Sequence, residues 1–194
     1  LRPRPSLIVT VKATVVTLSG TPPHAWATNE AGDAARKAAG LTFVVSEIEI
    51  PRADSDAALA LEVGQALLRS SVYTVYDDVT GGVRDGVVIL RGRVISASKV
   101  EQLGELVARL RGVQAVNNEI REMASSISDD ELRFEIAAGI YGGPMFLNIS
   151  RAIMPPIHVV VENGRVTLIG RVHTELEKNR AGTIAQSSAG PARV

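Results

Sequence analysis

Few side chains in this chain of 194 residues are of the types that carry out metal or nucleophilic chemistry. The imidazoles are those of His24, His158 and His173, and there is no cysteine. His158 and His173 fall on two strands of one predicted hairpin, but no acidic or cysteine ligand set accompanies them. We therefore interpret the histidines as structural or surface residues rather than metal ligands. The lack of cysteine excludes disulfides, thiolate nucleophiles and cysteine-ligated zinc.

Two further stretches could belong to a catalytic site. Asp77 and Asp78 form a carboxylate pair without a separate acid or base, and we interpret them as part of a solvated loop. The stretch 139–143 is rich in glycine but lacks the Lys-Ser/Thr that ends a phosphate loop, so it predicts a flexible helix end. No nucleophile elbow or dinucleotide fingerprint is present in the sequence. We expect no enzyme activity, no cofactor and no metal.

The charge balance gives no sign of a nucleic-acid partner. Twenty-one Lys and Arg residues match 21 Asp and Glu residues, so there is no overall field to attract phosphates. The basic runs Arg91–Arg93 and Arg109–Arg111 could face anionic headgroups. They lie among balancing Glu101 and Glu105, and we interpret them as ordinary solvated positions. No apolar run approaches the roughly 18–20 residues of a membrane span.

The elements that hold these residues come from an internal repeat. Three apolar stretches, at 15–20, 87–92 and 165–170, each end in a glycine. Each of these glycines is followed by another 20 residues later, and two of them are preceded by one six residues earlier. The turn and strand glycines of this repeat that we expect to be structural are Gly20, Gly86, Gly92, Gly112, Gly164 and Gly170.

The middle copy is the complete one. Helix caps at 54–56 begin a short amphipathic helix, and 72–80 reads as extended chain. Asp85-Gly86 predicts a tight hairpin turn before strand Val87–Val94. The apolar spacing from Val100 to Leu110 predicts a second helix, and Val113–Met123 a third strand, parallel to its neighbour. The predicted fold class is α+β: tandem small two-layer modules, each helix–hairpin–helix–strand with a three-stranded mixed sheet.

The outer copies are incomplete. We place a first module at 1–51, lacking its first helix, a complete second module at 54–123, and a third at 127–194, lacking its last strand. This pattern suggests that the natural termini are missing.

The repeated module resembles the BON domain (bacterial OsmY and nodulation). The resemblance rests on the hairpin and strand from Asp85 to Val94, on the segment from Gly112 to Asn118, and on their repetition from Asn163 to Val172. It covers nearly the whole chain. The first copy departs most, since Ala13-Thr14 stands where the hairpin turn has Asp-Gly or Asn-Gly.

The resemblance implies a non-enzymatic module of the bacterial envelope. Such modules are linked to phospholipid association, envelope integrity and osmotic stress, are often periplasmic, and some are described as chaperone-like. The partners implied are phospholipid or other envelope proteins, and the location periplasmic or otherwise envelope or extracellular. The family has no catalytic residues to transfer.

Two sets of side chains are candidate contacts. Val87 and Ile89 point to the strand face opposite the glycine, where the third copy has Arg165 and Thr167. We expect that apolar face to pack on a neighbouring module or subunit, or simply to expose two side chains. The strand glycine itself allows close approach, and we expect helices to cover its face.

The second set lies between the prolines at 144 and 155–156. In a short helix Phe146, Ile149 and Ile153 would share one face, a weak version of an interfacial lipid-binding pattern. The other interpretations are that the segment fills the core of its own module, or that it forms an assembly contact.

Two classes of function follow. One is an envelope protein that engages phospholipid or misfolded clients, and the other is a structural protein whose modules build an oligomer or fibre. We expect self-association, through the second sheet face or a strand edge, because neither end of the chain resembles a polar cap.

Overall fold

The computed structural model describes residues 7–12, 15–22, 24–37, 43–124, 126–147 and 155–190, with the side chain of Phe43 excepted. These residues form eight strands, five α-helices and one short 3₁₀ helix. In chain order they are β1 (Leu7–Lys12), β2 (Val15–Gly20), α1 (Ala25–Lys37), β3 (Phe43–Ile48), α2 (Asp56–Arg69), β4 (Asp78–Arg84), β5 (Val87–Val94), α3 (Ala97–Ala108), β6 (Ala115–Glu122), α4 (Ile127–Tyr141), the 3₁₀ helix (Pro144–Phe146), β7 (Ile157–Glu162), β8 (Arg165–Gly170) and α5 (Glu175–Ala189).

The strands form three small sheets, in the orders β1-β2-β3, β4-β5-β6 and β7-β8. In the first sheet β1 pairs antiparallel with β2, and β2 pairs parallel with β3. In the second, the Gln114 amide donates to the Gly86 carbonyl and the Met123 amide to the Val94 carbonyl, so β5 and β6 run in the same direction. The α+β class with small mixed sheets is confirmed. The end of the third copy, after which its last strand is predicted to be missing, lies outside the described residues.

The hairpin turns have the conformation that the sequence predicts. Asp85 and Gly86 have φ of 52° and 76°, and Asn163 and Gly164 have φ of 54° and 72°. Two consecutive residues with positive φ give the tight turn whose twist matches that of paired strands. In the first copy the corresponding Ala13-Thr14 lies outside the described residues.

Side-chain caps fix the starts of three helices. The Ser55 hydroxyl accepts from the Ala58 amide at 3.1 Å, and Ser126 accepts from Asp129 in the same way. Thr174 and Glu177 form a reciprocal capping box at the start of α5. Each cap satisfies amides that have no partner within the helix, and a single cap contributes about 1 kcal/mol. Helix α2 thus begins where its sequence predicts.

The segment before β4 differs from our prediction. We expected extended chain over 72–80, but β4 begins only at Asp78, and a turn-rich loop occupies 70–77. The physical reason is local hydrogen bonding: the Thr74 amide and hydroxyl both donate to Asp77, each at 2.8 Å. Side-chain bonds of this kind compete with the pairing of a strand.

Two compact units can be distinguished within the chain. Unit 1 comprises Leu1–Ala66, Gly81–Leu90 and Gly104–Asn118, and unit 2 comprises Leu67–Thr80, Arg91–Leu103 and Glu119–Val194. The predicted second module therefore contributes residues to both. The division into modules at 1–51, 54–123 and 127–194 remains a prediction.

Each unit has a cluster of buried apolar side chains. In unit 1, helix α1 packs on β2 and β3 over Val16, Leu18 and Ala35. In unit 2, helix α4 packs on β7, α5 packs on β8, and the two helices pack on each other. The buried side chains there are those of Ile136, Ala137, Ile140, Phe146, Ile157, Val159, Val161, Val166, Ala181 and Ala185.

The strand-end glycines share one unusual conformation. Gly20, Gly92 and Gly170 have φ of 135°, 141° and 154°. We expected helices to cover the strand face that carries the glycine, and Val88, Leu90 and Val94 on that face are indeed fully buried. A Cβ on Gly92 would lie 1.8 Å from the Asp78 carbonyl oxygen, and one on Gly170 would lie 1.9 Å from the Pro156 carbonyl oxygen. The close approach is therefore made by backbone at the start of the partner strand.

Candidate interaction surface

Strand β1 presents an apolar surface. All six of its residues are exposed. Four of them are large and apolar: Leu7, Ile8, Val9 and Val11. Their exposed fractions are 37%, 55%, 56% and 60%. Burying a side chain of this size stabilises a protein by about 1.5–3 kcal/mol, so this strand leaves unused apolar surface that a partner could cover.

The two sides of β1 differ in chemistry. Directly paired residues of antiparallel strands lie on the same face, so the pairings Leu7–Gly20, Val9–Leu18 and Val11–Val16 put three β1 side chains on the face of the unit 1 core. We call Leu7, Val9 and Val11 the apolar stripe. The opposite side carries Ile8, Thr10 and Lys12. Only the stripe is a continuous apolar row.

From the sequence we predicted a strand at 7–11, but not that its apolar side is exposed. The signal was present in the alternation of Leu7, Val9 and Val11 with Thr10 and Lys12. That pattern predicts a half-buried strand, and nothing local indicates that the apolar side is left uncovered.

The predicted contact residues lie elsewhere. Val87 and Ile89 are half-buried, and two arginines on the same strand face are engaged in ion pairs. Arg91 Nε lies 2.7 Å from Glu119 Oε2, and Arg93 Nη2 lies 3.5 Å from Asp78 Oδ2. Packing of this face on a neighbouring module or subunit stays a prediction, to be tested by an Ile89→Glu variant.

Phe146 is only 1% exposed and belongs to the core of unit 2. A side chain buried to this degree is not available to a membrane in this conformation, which favours the interpretation that it fills its own module. Phe146 therefore does not lie on an exposed lipid-binding face in this structure. Ile149 and Ile153 lie outside the described residues.

The Asp77-Asp78 pair is not part of a solvated loop, which corrects our prediction for Asp77. The Asp77 side chain is fully buried and lies 2.6 Å from the Lys99 ammonium. Besides the two bonds from Thr74, it accepts one from the Ile95 amide at 3.2 Å. Lys99 and Ile95 are far from Asp77 in the sequence, so no local pattern predicts this site.

His158 contacts the same region. Its Nδ1 lies 2.7 Å from the Asp77 carbonyl oxygen, and its ring centroid lies 5.2 Å from that of Tyr73. His24 accepts from the Ala27 amide at the start of α1, and His173 is exposed. Within the part of the chain that the structure describes, no group of three His, Asp or Glu side chains is arranged to hold a metal ion.

Glu162 lies between two arginines. Arg121 binds it through two hydrogen bonds of 2.6 and 2.9 Å, and Arg93 Nη1 lies 3.5 Å away. The hydrogen bonds from Arg121, and then the charges of Arg121 and Arg93, hold the pKa of the Glu162 carboxyl below its usual value, against an opposing effect of burial.

This shift predicts a stability that depends on pH. Because the folded-state pKa is lowered, the stabilisation by ionised Glu162 is fully present above the ordinary glutamate pKa of about 4.3, and is lost as pH falls through the lowered value. Urea unfolding should show Glu162→Gln destabilised against the unmodified chain at pH 7, with a much smaller difference at pH 3. Glu135→Gln, at an exposed position of α4, is the control. An equal difference at both pH values would contradict this assignment.

Arg109 combines two contacts within unit 1. Its guanidinium lies 3.3 Å from the carboxylate of Glu105, one of the acidic residues that we expected to balance it. The guanidinium also lies 4.1 Å from the centroid of the Trp26 ring. A cation over an aromatic ring contributes about 0.5–1 kcal/mol or more, and Trp26 is half-buried. These contacts engage the cation with neighbours in its own unit.

Among the described residues, none of the helices combines the length and the apolar composition that a membrane-spanning segment needs.

Comparison with known proteins identifies the family. The BON domain matches three segments, 2–52, 55–123 and 151–194, and together they span most of the chain. No curated protein matches the sequence. Two solved structures of CdsD, a structural protein of the type III secretion system of Chlamydia trachomatis, are similar over nearly the whole chain.

The likeness to those structures is distant. The C-terminal domain of CdsD is 13% identical, with 98% of this chain and 86% of that chain covered, at a TM-score of 0.30. The second CdsD structure is 15% identical, with 96% and 81% covered, also at 0.30. Similarity at this level gives no information about function. The matches of the three segments to the BON domain show the family: the chain belongs to the BON domain family and contains tandem copies of its module.

Proposed function

We propose that this chain is a non-catalytic binding module of the bacterial envelope that associates with phospholipid or with client proteins. BON domains are generally binding modules of the envelope, of a phospholipid-binding type, and this family membership supports the class of function. A periplasmic or other envelope location is part of the same proposal.

The observation that carries the proposal is the exposed strand β1. Four of its six side chains are large and apolar, and each is at least 37% exposed. Contiguous exposed apolar surface on a soluble fold is typical of an interaction site. Both phospholipid acyl chains and unfolded or partly folded clients offer apolar surface that could cover it.

The polar clusters support a binding role rather than a catalytic one. The carboxylate of Asp77 already accepts four hydrogen bonds, from Thr74, Lys99 and Ile95. Glu162 is held by Arg121 and Arg93. Groups bonded in this way stabilise the fold, and neither is held ready to transfer a proton to a bound molecule.

Cosedimentation with vesicles tests the lipid part of the proposal, and suppression of the aggregation of a denatured client tests the protein part. Vesicles of neutral phosphatidylcholine and of the same lipid with anionic phosphatidylglycerol should be compared. We expect at least one of the two activities, and expect it to weaken when Val9 is changed to Glu. A chain that neither pellets with vesicles nor protects a client would contradict the proposal.

Self-assembly is a second candidate, favoured by the position of β1. It is the outer strand in the order β1-β2-β3, and an exposed apolar edge strand is a template for pairing with another chain. Sedimentation without lipid should then show oligomers that grow with protein concentration. A monomer at high concentration would exclude this candidate and leave the first intact.

A further inference from the structure

We propose that the solvent-exposed face of α4 around Phe134 binds a basic segment of a partner protein, with an aliphatic side chain of that segment packed on the Phe134 ring. The inference goes beyond the proposed function, because it concerns a different surface from β1 and does not depend on what that strand binds. Three observations carry it: the exposure of Phe134, the charges beside it, and the same arrangement in α2.

Phe134 is a large aromatic side chain on the solvent side of α4. It is 64% exposed, and Ile127, seven residues earlier and so about two turns away on the same side, is 81% exposed. Tyr76 lies beside Phe134 in an edge-on arrangement, with 5.2 Å between the ring centroids. The Phe134 ring is thus in contact with a neighbouring aromatic ring while most of its surface stays in water.

The same side of α4 is acidic. Its exposed charged residues are Asp130, Glu131 and Glu135. The one basic residue in the sequence of α4, Arg133, is 4% exposed and pairs with Asp130. Glu131 and Glu135 have no ion pair with another of the described residues, so their charges act on whatever approaches the helix. A partner that brings lysine or arginine side chains complements this border.

Helix α2 can be aligned with α4 through a contact that each makes with its own hairpin. An aspartate in the first turn, Asp56 in α2 and Asp129 in α4, accepts hydrogen bonds of 2.7–2.9 Å from the two amides of the hairpin turn. These two aspartates are therefore equivalent positions of two copies of the module.

With the aspartates aligned, Leu61 of α2 corresponds to Phe134 of α4, and Glu62 corresponds to Glu135. Leu61 is 65% exposed, nearly the same fraction as Phe134, and Glu62 is exposed as well. A single exposed apolar side chain is ordinary on a protein surface. Exposure of a large apolar residue beside a glutamate at the equivalent position of two copies indicates instead that the position serves an interaction.

The charges decide which partner fits this face. Anionic phospholipid would be repelled by Glu131 and Glu135, and a second copy of the same face would bring equal charges together. A basic protein segment neutralises both carboxylates, and its aliphatic side chains remove the Phe134 ring from water, as aromatic residues at the centre of interfaces do. Because α2 has Ala58 at the position of Glu131, we expect α4 to bind more tightly than α2.

The probe is a designed peptide of leucine and lysine that folds as an amphipathic helix, and its control is the same peptide with glutamate in place of lysine. Fluorescence anisotropy of the labelled peptides, titrated with the whole chain, should show saturable binding of the lysine peptide only. Binding should weaken when the salt concentration is raised, since exposed charges are screened.

Phe134→Ser should weaken binding of the lysine peptide at least tenfold, and Leu61→Ser added to it should remove the binding that remains. Leu176→Ser is the matched control, because Leu176 is 67% exposed and lies near the start of α5 in the same unit as Phe134. It should change the affinity less than twofold. All three side chains are largely exposed, so these variants should keep the melting temperature of the unmodified chain.

The charges have a control of their own. Glu131→Lys combined with Glu135→Lys should weaken binding at least tenfold. Glu101→Lys combined with Glu122→Lys changes the net charge equally, at exposed positions outside α4, and should weaken binding less than threefold.

Three outcomes would overturn the inference: no binding of the lysine peptide, equal loss in Phe134→Ser and Leu176→Ser, or equal binding of the glutamate peptide. If the lysine peptide fails while Phe134→Ser abolishes pelleting with vesicles, a membrane covers this face and the inference is wrong, but the proposed function stands. If it fails while Phe134→Ser dissociates an oligomer, a second copy covers the face and the inference is equally wrong. Failure of the vesicle and client tests alone contradicts the proposed function and leaves this inference intact.

Discussion

Replacing Gly92 by alanine should strongly destabilise the fold. The new Cβ would lie 1.8 Å from the Asp78 carbonyl oxygen, 2.8 Å from its carbon and 2.9 Å from the Val79 Cα. All three atoms are backbone, so no side-chain rotation relieves the overlap. The φ of 141° adds strain, because residues with a Cβ rarely adopt it.

We expect a loss of about 4 kcal/mol or more in the free energy of unfolding, which puts this change among the exceptional single substitutions. Urea unfolding followed by circular dichroism measures it. The same change at Gly170, where the added Cβ would lie 1.9 Å from the Pro156 carbonyl oxygen, should have a similar effect in the hairpin of β7 and β8.

Gly82→Ala is the matched control. It lies in β4 of the same hairpin as Gly92, and an added Cβ meets nothing within 4 Å. This variant should unfold within about 1 kcal/mol of the unmodified chain. If Gly92→Ala were as stable as Gly82→Ala, the start of β4 would have to shift freely, and the close approach would not be a constraint.

Removing the Asp77 carboxylate should have the second-largest effect. Asp77→Ala leaves the Lys99 ammonium, itself only 13% exposed, without its charge partner. It also removes the acceptor for the amides of Thr74 and Ile95. Breaking a buried ion pair by deleting one partner costs about 3–5 kcal/mol, since the other charge stays in a poorly solvated place.

Asp33→Ala is the control for this variant. Asp33 forms an ion pair with Arg36, and the two side chains are 62% and 64% exposed. Exposed pairs contribute only about 0–1 kcal/mol, so this variant should unfold almost as the unmodified chain does. A further variant, Lys99→Met, leaves the fully buried carboxylate of Asp77 without its counter-charge and should also be strongly destabilised. Equal stability of Asp77→Ala and Asp33→Ala would show that the Asp77 site does not hold its loop.

The repeat and the local geometry of the hairpins could be predicted from the sequence. Asp85-Gly86 and Asn163-Gly164 adopt positive φ because short polar residues and glycine tolerate it, a property of the residues themselves. The start of α2 followed from the side chain of Ser55, which caps an amide three residues away. Strand alternation likewise predicted the burial of Val88, Leu90 and Val94.

What the sequence did not reveal depends on residues that meet across long separations. Asp77 can be buried because Lys99, 22 residues away, supplies its counter-charge. Phe146 is buried in a cluster that also contains side chains of α4, β7, β8 and α5. The repeat marked Gly92 and Gly170 as special, but only the folded chain shows that backbone of the partner strand occupies the place of their Cβ. The apolar stripe is the sharpest case. Leu7, Val9 and Val11 have the alternation of a buried strand, and whether such a row is covered depends on packing that the sequence of the strand itself does not specify.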